Sequence, residues 1–151
     1  MKYLFVAALL LGVTAAPVKQ RQATQANISS FSASSDGDAG GAEIGYNVEI
    51  PGLVNTHCSY ADANPATKLP DVSQTPCDNP VVRWQFRQDP SQPGTEGRYR
   101  IVVIYAPPSG PSAAGFHEWD PSDFPEESLD AEYVTVYHVS APAFPIPFSH
   151  V

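Results

Sequence analysis

Proline interrupts this chain so often that its regular structure has to come in short pieces. Sixteen of its 151 residues are proline, roughly twice average usage, and each one fixes φ and removes a backbone donor. Long helices are disfavoured and short strands joined by turns are favoured. The hydrophobic pattern agrees. Ile44, Tyr46, Val48 and Ile50 alternate with Glu43, Gly45, Asn47 and Glu49, and Val82, Trp84 and Phe86 alternate with Arg83, Gln85 and Arg87. A period of two marks half-buried strands. Residues 99–105 are apolar on both faces after Arg100, which predicts a central strand covered on both sides. Residues 133–139 predict a last strand, and shorter ones are expected within 28–34, 53–60 and 116–118. No useful window has helical periodicity. The expected fold is all-β, a single antiparallel β-barrel or sandwich of about 7–9 short strands.

Lys2 precedes an apolar run over residues 3–13, and small residues follow at Thr14, Ala15 and Ala16. This is the pattern of a secretory signal peptide at 1–15, too short for a membrane span of about 20 apolar residues. Residues 16–27 are expected to form a disordered mature N-terminus, with Lys19-Gln20-Arg21 offering a processing point after Arg21. Asn27-Ile28-Ser29 is a glycosylation sequon, meaningful because the chain is read as secreted. Secretion also governs the reading of Cys58 and Cys77, the only two cysteines. In an oxidising compartment they are expected to pair, leaving a monomer held by one intrachain bridge. A metal site or redox pair would need closer spacing or more ligands, and His57 is the sole neighbouring candidate. The barrel domain is then 28–141, and 142–151 is an extended Pro-rich tail, either draped over the barrel or loose.

Eight Lys and Arg stand against 16 Asp and Glu, a formal charge of −8. A surface that neutralises phosphates needs clustered basic residues, so nucleic acid and anionic membranes are set aside as partners. There is no G-x-S-x-G elbow, H-E-x-x-H, P-loop or dinucleotide turn. His57, His117, His138 and His150 are far apart in sequence. No catalytic residue, metal ligand or cofactor is assigned.

The acidic stretch 118–132 holds seven carboxylates and no Lys or Arg. It reads as a solvated loop, as a source of paired glycosidase acids, as a hard-cation site without EF-hand order, or as a contact surface. In the last case Trp119, Asp123, Phe124, Glu126, Glu127 and Asp130 would meet a partner with a basic surface, Leu129 adding an apolar anchor. The same aromatics serve equally well as plugs pinning the loop to the core.

Several short segments resemble secreted fungal proteins related to the major allergen of Alternaria. They are Ala16-Pro17-Val18-Lys19-Gln20-Arg21-Gln22, Ile28-Ser29-Ser30-Phe31-Ser32-Ala33, and Ile44-Gly45-Tyr46-Asn47-Val48 with Cys58 soon after. Cys77 then precedes a strand at 82–86, and Tyr99-Arg100-Ile101-Val102-Val103 follows. The resemblance implies a β-barrel without established catalysis, acting as effector, elicitor or allergen, with some members binding plant defence proteins or small phenolic ligands. The name-giving allergen has further cysteines, one of which links a dimer. A Cys58–Cys77 pair here leaves none for such a link, so no family binding residue is carried over. The leading expectation is a secreted, non-enzymatic effector-like or allergen-like protein that binds a host or extracellular component. A carbohydrate-binding or wall-associated module comes second, and an extracellular hydrolase third.

Overall fold

Alternation leaves each strand one apolar face, and in the computed structural model two such sets of faces close on each other. It describes residues 21–38, 40–89, 98–129, 134–139 and 141–150; the expected signal peptide at 1–15 and residues 16–20 lie outside that set. The strands are β1 (Gln25–Asp36), β2 (Gly41–Ile50), β3 (Val54–Asp62), β4 (Val72–Pro76), β5 (Val82–Asp89), β6 (Arg98–Tyr105), β7 (Ala113–Trp119), β8 (Glu126–Leu129), β9 (Val134–Tyr137), β10 (Phe144–Pro147) and β11 (Ser149–His150). A single 3₁₀ turn, Pro121–Asp123, joins β7 to β8. Among the described residues no helix is long and apolar enough to cross a membrane.

The first sheet runs β3-β2-β1-β9-β8, with β10 also paired to β1, and the second runs β11-β7-β6-β5-β4. Every pairing is antiparallel. The all-β expectation is met, with more strands than anticipated. The extra ones come from sequence read as irregular: β4 in the loop between the cysteines, β8 in the acidic stretch, and β10 and β11 in the tail. Asn27 belongs to β1, opposite Glu49 and Pro145, so the expected disordered terminus gives way to strand from Gln25 onward. Residues 144–150 are draped and paired rather than loose, because Ile146 and Phe144 bury against Ala26 and Ile28 of β1.

β1 changes face once, and the change is visible in its residues. Ala26 and Ile28 point inward, then Phe31, Ala33 and Ser35 do, a switch from even to odd positions. Without correction the second half would turn its apolar face to solvent. A bulge between Ser29 and Ser32 supplies the one-residue shift, with Ser30 at φ 55°. The Phe31 amide then donates to the Pro142 carbonyl at 3.2 Å, tying the bulge to the tail.

Phe31 thereby reaches Trp119, Tyr46, Phe124 and Phe144, at ring separations of 5.1, 5.8, 6.1 and 6.3 Å. From the second sheet, Phe86 and Tyr99 join through Phe124. Such tilted and stacked rings each add about 0.5–1.5 kcal/mol beyond the area they bury. Cys58 on β3 bonds to Cys77, which follows β4, so the bridge links the two sheets. In the chain-entropy treatment a loop of this length stabilises by about 3 kcal/mol.

The tail crosses β7 at Gly115. A Cβ there would sit 2.7 Å from Ile146 Cγ2 and collide with the Pro147 carbonyl. Glycine allows β10, on the first sheet, to continue into β11 on the second.

Ser30 adopts a left-handed conformation costing a non-glycine residue about 1–2 kcal/mol. Ser30→Gly is expected to raise unfolding stability by about 1 kcal/mol, and Ser30→Val to lower it. Urea denaturation of the three proteins checks this; an unchanged or lower midpoint for the glycine variant contradicts the bulge geometry.

Candidate functional site

The acidic stretch does not form one surface. Trp119 and Phe124 are 4% and 1% exposed, so they are core plugs and cannot be the partner anchors considered from sequence. Glu118 and Asp120 are neutralised from β6: Arg100 Nε donates to Glu118 Oε1 at 2.6 Å, and Arg98 Nε lies 2.6 Å from Asp120 Oδ1. The self-repulsion that made the stretch look functional is therefore partly relieved within the fold. Asp123 is exposed on the 3₁₀ turn. Glu127 and Leu129 are exposed on β8, with Glu127 Oε2 2.7 Å from His138 Nε2. Glu126 lies on β8 opposite Tyr137. Asp130 lies outside the described residues.

A different surface gathers charge and apolar area. Beyond residue 21 the chain has five basic side chains, Lys68, Arg83, Arg87, Arg98 and Arg100. On β5, Val82, Trp84 and Phe86 are buried, which turns Arg83, Gln85 and Arg87 outward. On β6, Tyr99, Ile101 and Val103 are buried, which turns Arg98, Arg100, Val102 and Ile104 outward. Four of the five basic groups thus share the outer face of the second sheet. Register brings them together: Arg87 lies opposite Arg100, Gln85 opposite Val102, and Val102 opposite Phe116.

Phe116 is 56% exposed, and the Arg100 guanidinium sits 5.1 Å from its ring centroid, a cation–π geometry. Beside it, Val102, Ala114, Gly115, Phe116, Pro147 and Ser149 line a groove of about 420 Å³. The expectation that β6 is central is met, since it is the middle strand of its sheet. Its second apolar side is not covered by another layer, however. Val102 forms one wall of the open groove.

The outer face of the first sheet is the opposite in character. It presents Glu43, Glu49 and Glu127 among Ser32, Asn47, Asn55, His57 and Ser59, and among the described residues it carries no Lys or Arg. His57 Nδ1 lies 3.0 Å from Asn47 Oδ1, but the nearby Ser32 hydroxyl donates to the Gly45 carbonyl at 3.3 Å. That pairing orients a histidine without giving it a nucleophile. A third region, a cleft of about 270 Å³, brings Trp119 and Asp123 beside His117, Glu118, Ala141 and Phe144. His117 stacks on Phe144 at 4.4 Å and meets Trp119 edge-on at 4.7 Å. Burial pushes its pKa down, and Glu118 pulls it partly back.

Sequence reasoning missed the arginine face, although two of its signals were present. Arg83 and Arg87 were legible as the polar side of an amphipathic strand, and residues 101–104 as unusually apolar on both sides. What sequence lacked was the register that stacks them.

Two crystal structures of the Alternaria alternata major allergen Alt a 1 share this architecture. One aligns at TM-score 0.55 and 16% identity over 90% of this chain and 95% of its own, the other at 0.54 and 15% over 87% and 98%. This chain has the Alt a 1 fold. No family model matches it, and no curated protein sequence does. At such identities the likeness is one of architecture, so binding chemistry has to come from this chain's own side chains.

Because the folded His117 pKa lies below its unfolded value, the unfolded chain binds more protons between the two. Stability from this group is complete above the unfolded value near 6.5 and falls as pH drops toward the folded value. His117→Gln is expected to flatten the loss of unfolding midpoint between pH 7.5 and 5.5 relative to the unaltered protein, the other titrating groups cancelling in the comparison. Parallel slopes would remove His117 from the account.

Proposed function

We propose that this is a secreted, non-enzymatic binding protein, effector-like or allergen-like, that engages a host or cell-wall component as a monomer. Its binding surface in this reading is the outer face of the second sheet. Secretion is supported by the signal-type N-terminal sequence and by the Cys58–Cys77 bridge, which leaves no free cysteine among the described residues. The Alt a 1 fold supports the allergen-like description.

One observation carries the binding reading: a chain of formal charge −8 places four of its five basic groups beyond residue 21 on one sheet face, around its most exposed aromatic ring. Like charges directly opposite in a sheet are unfavourable, and Phe116 gains little from its exposed position. Neither feature helps the chain fold, and both suit a ligand. The alternative contact through Asp123 and Glu127 loses its aromatic anchors to the core.

Arg83→Ala/Arg87→Ala/Phe116→Ala is expected to reduce capture of the extracellular component at least about tenfold, since interface arginines and aromatics dominate binding energy. Asp123→Asn/Glu127→Gln is expected to leave capture unchanged. The measurement is retention from plant extracellular fluid and on insoluble glucan, chitin and cellulose, with the unfolding midpoint as control. The opposite pattern would return the contact to the acidic residues.

Asn27 is proposed to carry a glycan. On β1 its inward neighbours are Ala26 and Ile28, so its side chain faces out on the first sheet, where Gln25 Nε2 donates to its Oδ1 at 2.8 Å. That position is not on the arginine face. Asn27→Gln is expected to remove a peptide-N-glycosidase-sensitive mass from the secreted protein while leaving binding unchanged. Native material whose mass does not respond to the glycosidase would refute the modification.

A further inference from the structure

Resting on the proposed function above, in which the outer face of the second sheet binds, we propose that its ligand is a carboxylate-bearing polysaccharide, a polymer of uronic acid sugars. Arg87 and Arg100 lie directly opposite each other on β5 and β6. Neighbouring strands are about 4.8 Å apart, close to the advance of one pyranose ring along an extended polymer. A polymer with one carboxylate per ring, laid across the strands, therefore offers successive carboxylates to successive arginines. Guanidinium groups match carboxylates with paired hydrogen bonds, and the face already shows this chemistry where Arg100 holds Glu118.

The apolar half of the face suits the sugar ring itself. Phe116 is exposed beside a shallow groove walled by Val102, Ala114 and Pro147. The C–H face of a pyranose can rest on that ring while its carboxylate points to the arginines. A protein partner fits less well, because protein interfaces are centred on several anchors in well-packed pockets, and Phe116 is the one large aromatic exposed on this face among the described residues.

The chain's overall negative charge opposes any polyanion, so distance decides. At physiological ionic strength the screening length is about 8 Å, while packed sheets lie about 10 Å apart. The acids on the outer face of the first sheet are therefore largely screened from a ligand on the second, and the local arginines prevail. A sparsely charged polyuronate suits this balance better than a nucleic acid, whose denser phosphates call for a larger basic cluster.

The test is binding of the mature secreted protein to polygalacturonate at 0.15 M salt, a working condition chosen to match that screening regime, beside fully methyl-esterified pectin and dextran sulfate. Polygalacturonate is expected to bind, with capping of its carboxylates weakening binding at least about tenfold, as does Arg83→Ala/Arg87→Ala. Phe116→Ala is expected to weaken it too, and all variants should keep the unfolding midpoint. Equal binding to the esterified polymer would overturn carboxylate recognition. Equal or tighter binding to dextran sulfate would reduce the face to a generic ion exchanger. No binding to polygalacturonate, together with variant-sensitive capture of a protease-labile component from extracellular fluid, would overturn the polyuronate and leave the binding face standing. Unaltered behaviour of the variants in every assay would overturn both.

Discussion

Phe31 can enter the core because β1 contains one residue more than its partner needs. The bulge between Ser29 and Ser32 turns the second half of the strand over, and Phe31 then lies among Tyr46, Trp119, Phe124 and Phe144. Those rings come from β2, β7, the segment before β8, and β10, so one side chain joins elements far apart in sequence. The tail depends on the same place, since Pro142 accepts from the Phe31 amide and β10 then runs along β1. Core rings of this size bury large areas and dominate packing energy, which makes register in β1 the constraint on which the other contacts depend.

The interior is not fully satisfied. Tyr46 Oη, Trp84 Nε1 and Ser35 Oγ are buried without a hydrogen-bond partner among the described residues, and burial raises the Tyr46 pKa well above its usual value. Tyr46 and Trp84 meet edge-to-face at 5.2 Å, so aromatic packing at that point offsets the lost hydrogen bonds. The disulfide lies nearby in register, Tyr46 being paired with Cys58. Packing and the covalent link thus concentrate where the two sheets face each other. The outer faces are left to differ, one rich in Ser, Asn and Glu, the other in Arg and exposed apolar groups.

Strands with strong alternation were legible in advance. β2, β5 and β6 each expose one face and bury another over eight or more residues, and a period of two survives at that length. β4, β8, β10 and β11 are five residues or fewer, and prolines within or around them mask the pattern; they are strands because a longer neighbour offers an edge. Trp119 and Phe124 were ambiguous for another reason. An aromatic beside acids has the same sequence signature whether it faces water or the core, and only the positions of Phe31 and Tyr99 decide it.

Sequence by itself determined the all-β class, the central place of β6, the cysteine pair and the acidic charge, because each follows from local periodicity or from residue counts. Tertiary structure decided where the charge lies. Arg83 and Arg87 are on one strand, Arg98 and Arg100 on another, and Phe116 on a third. Their meeting depends on strand order and register, and a shift of one residue would send the side chains of a strand to the opposite face. That register is set by long-range packing around Phe31 and the interior rings, which no local segment encodes.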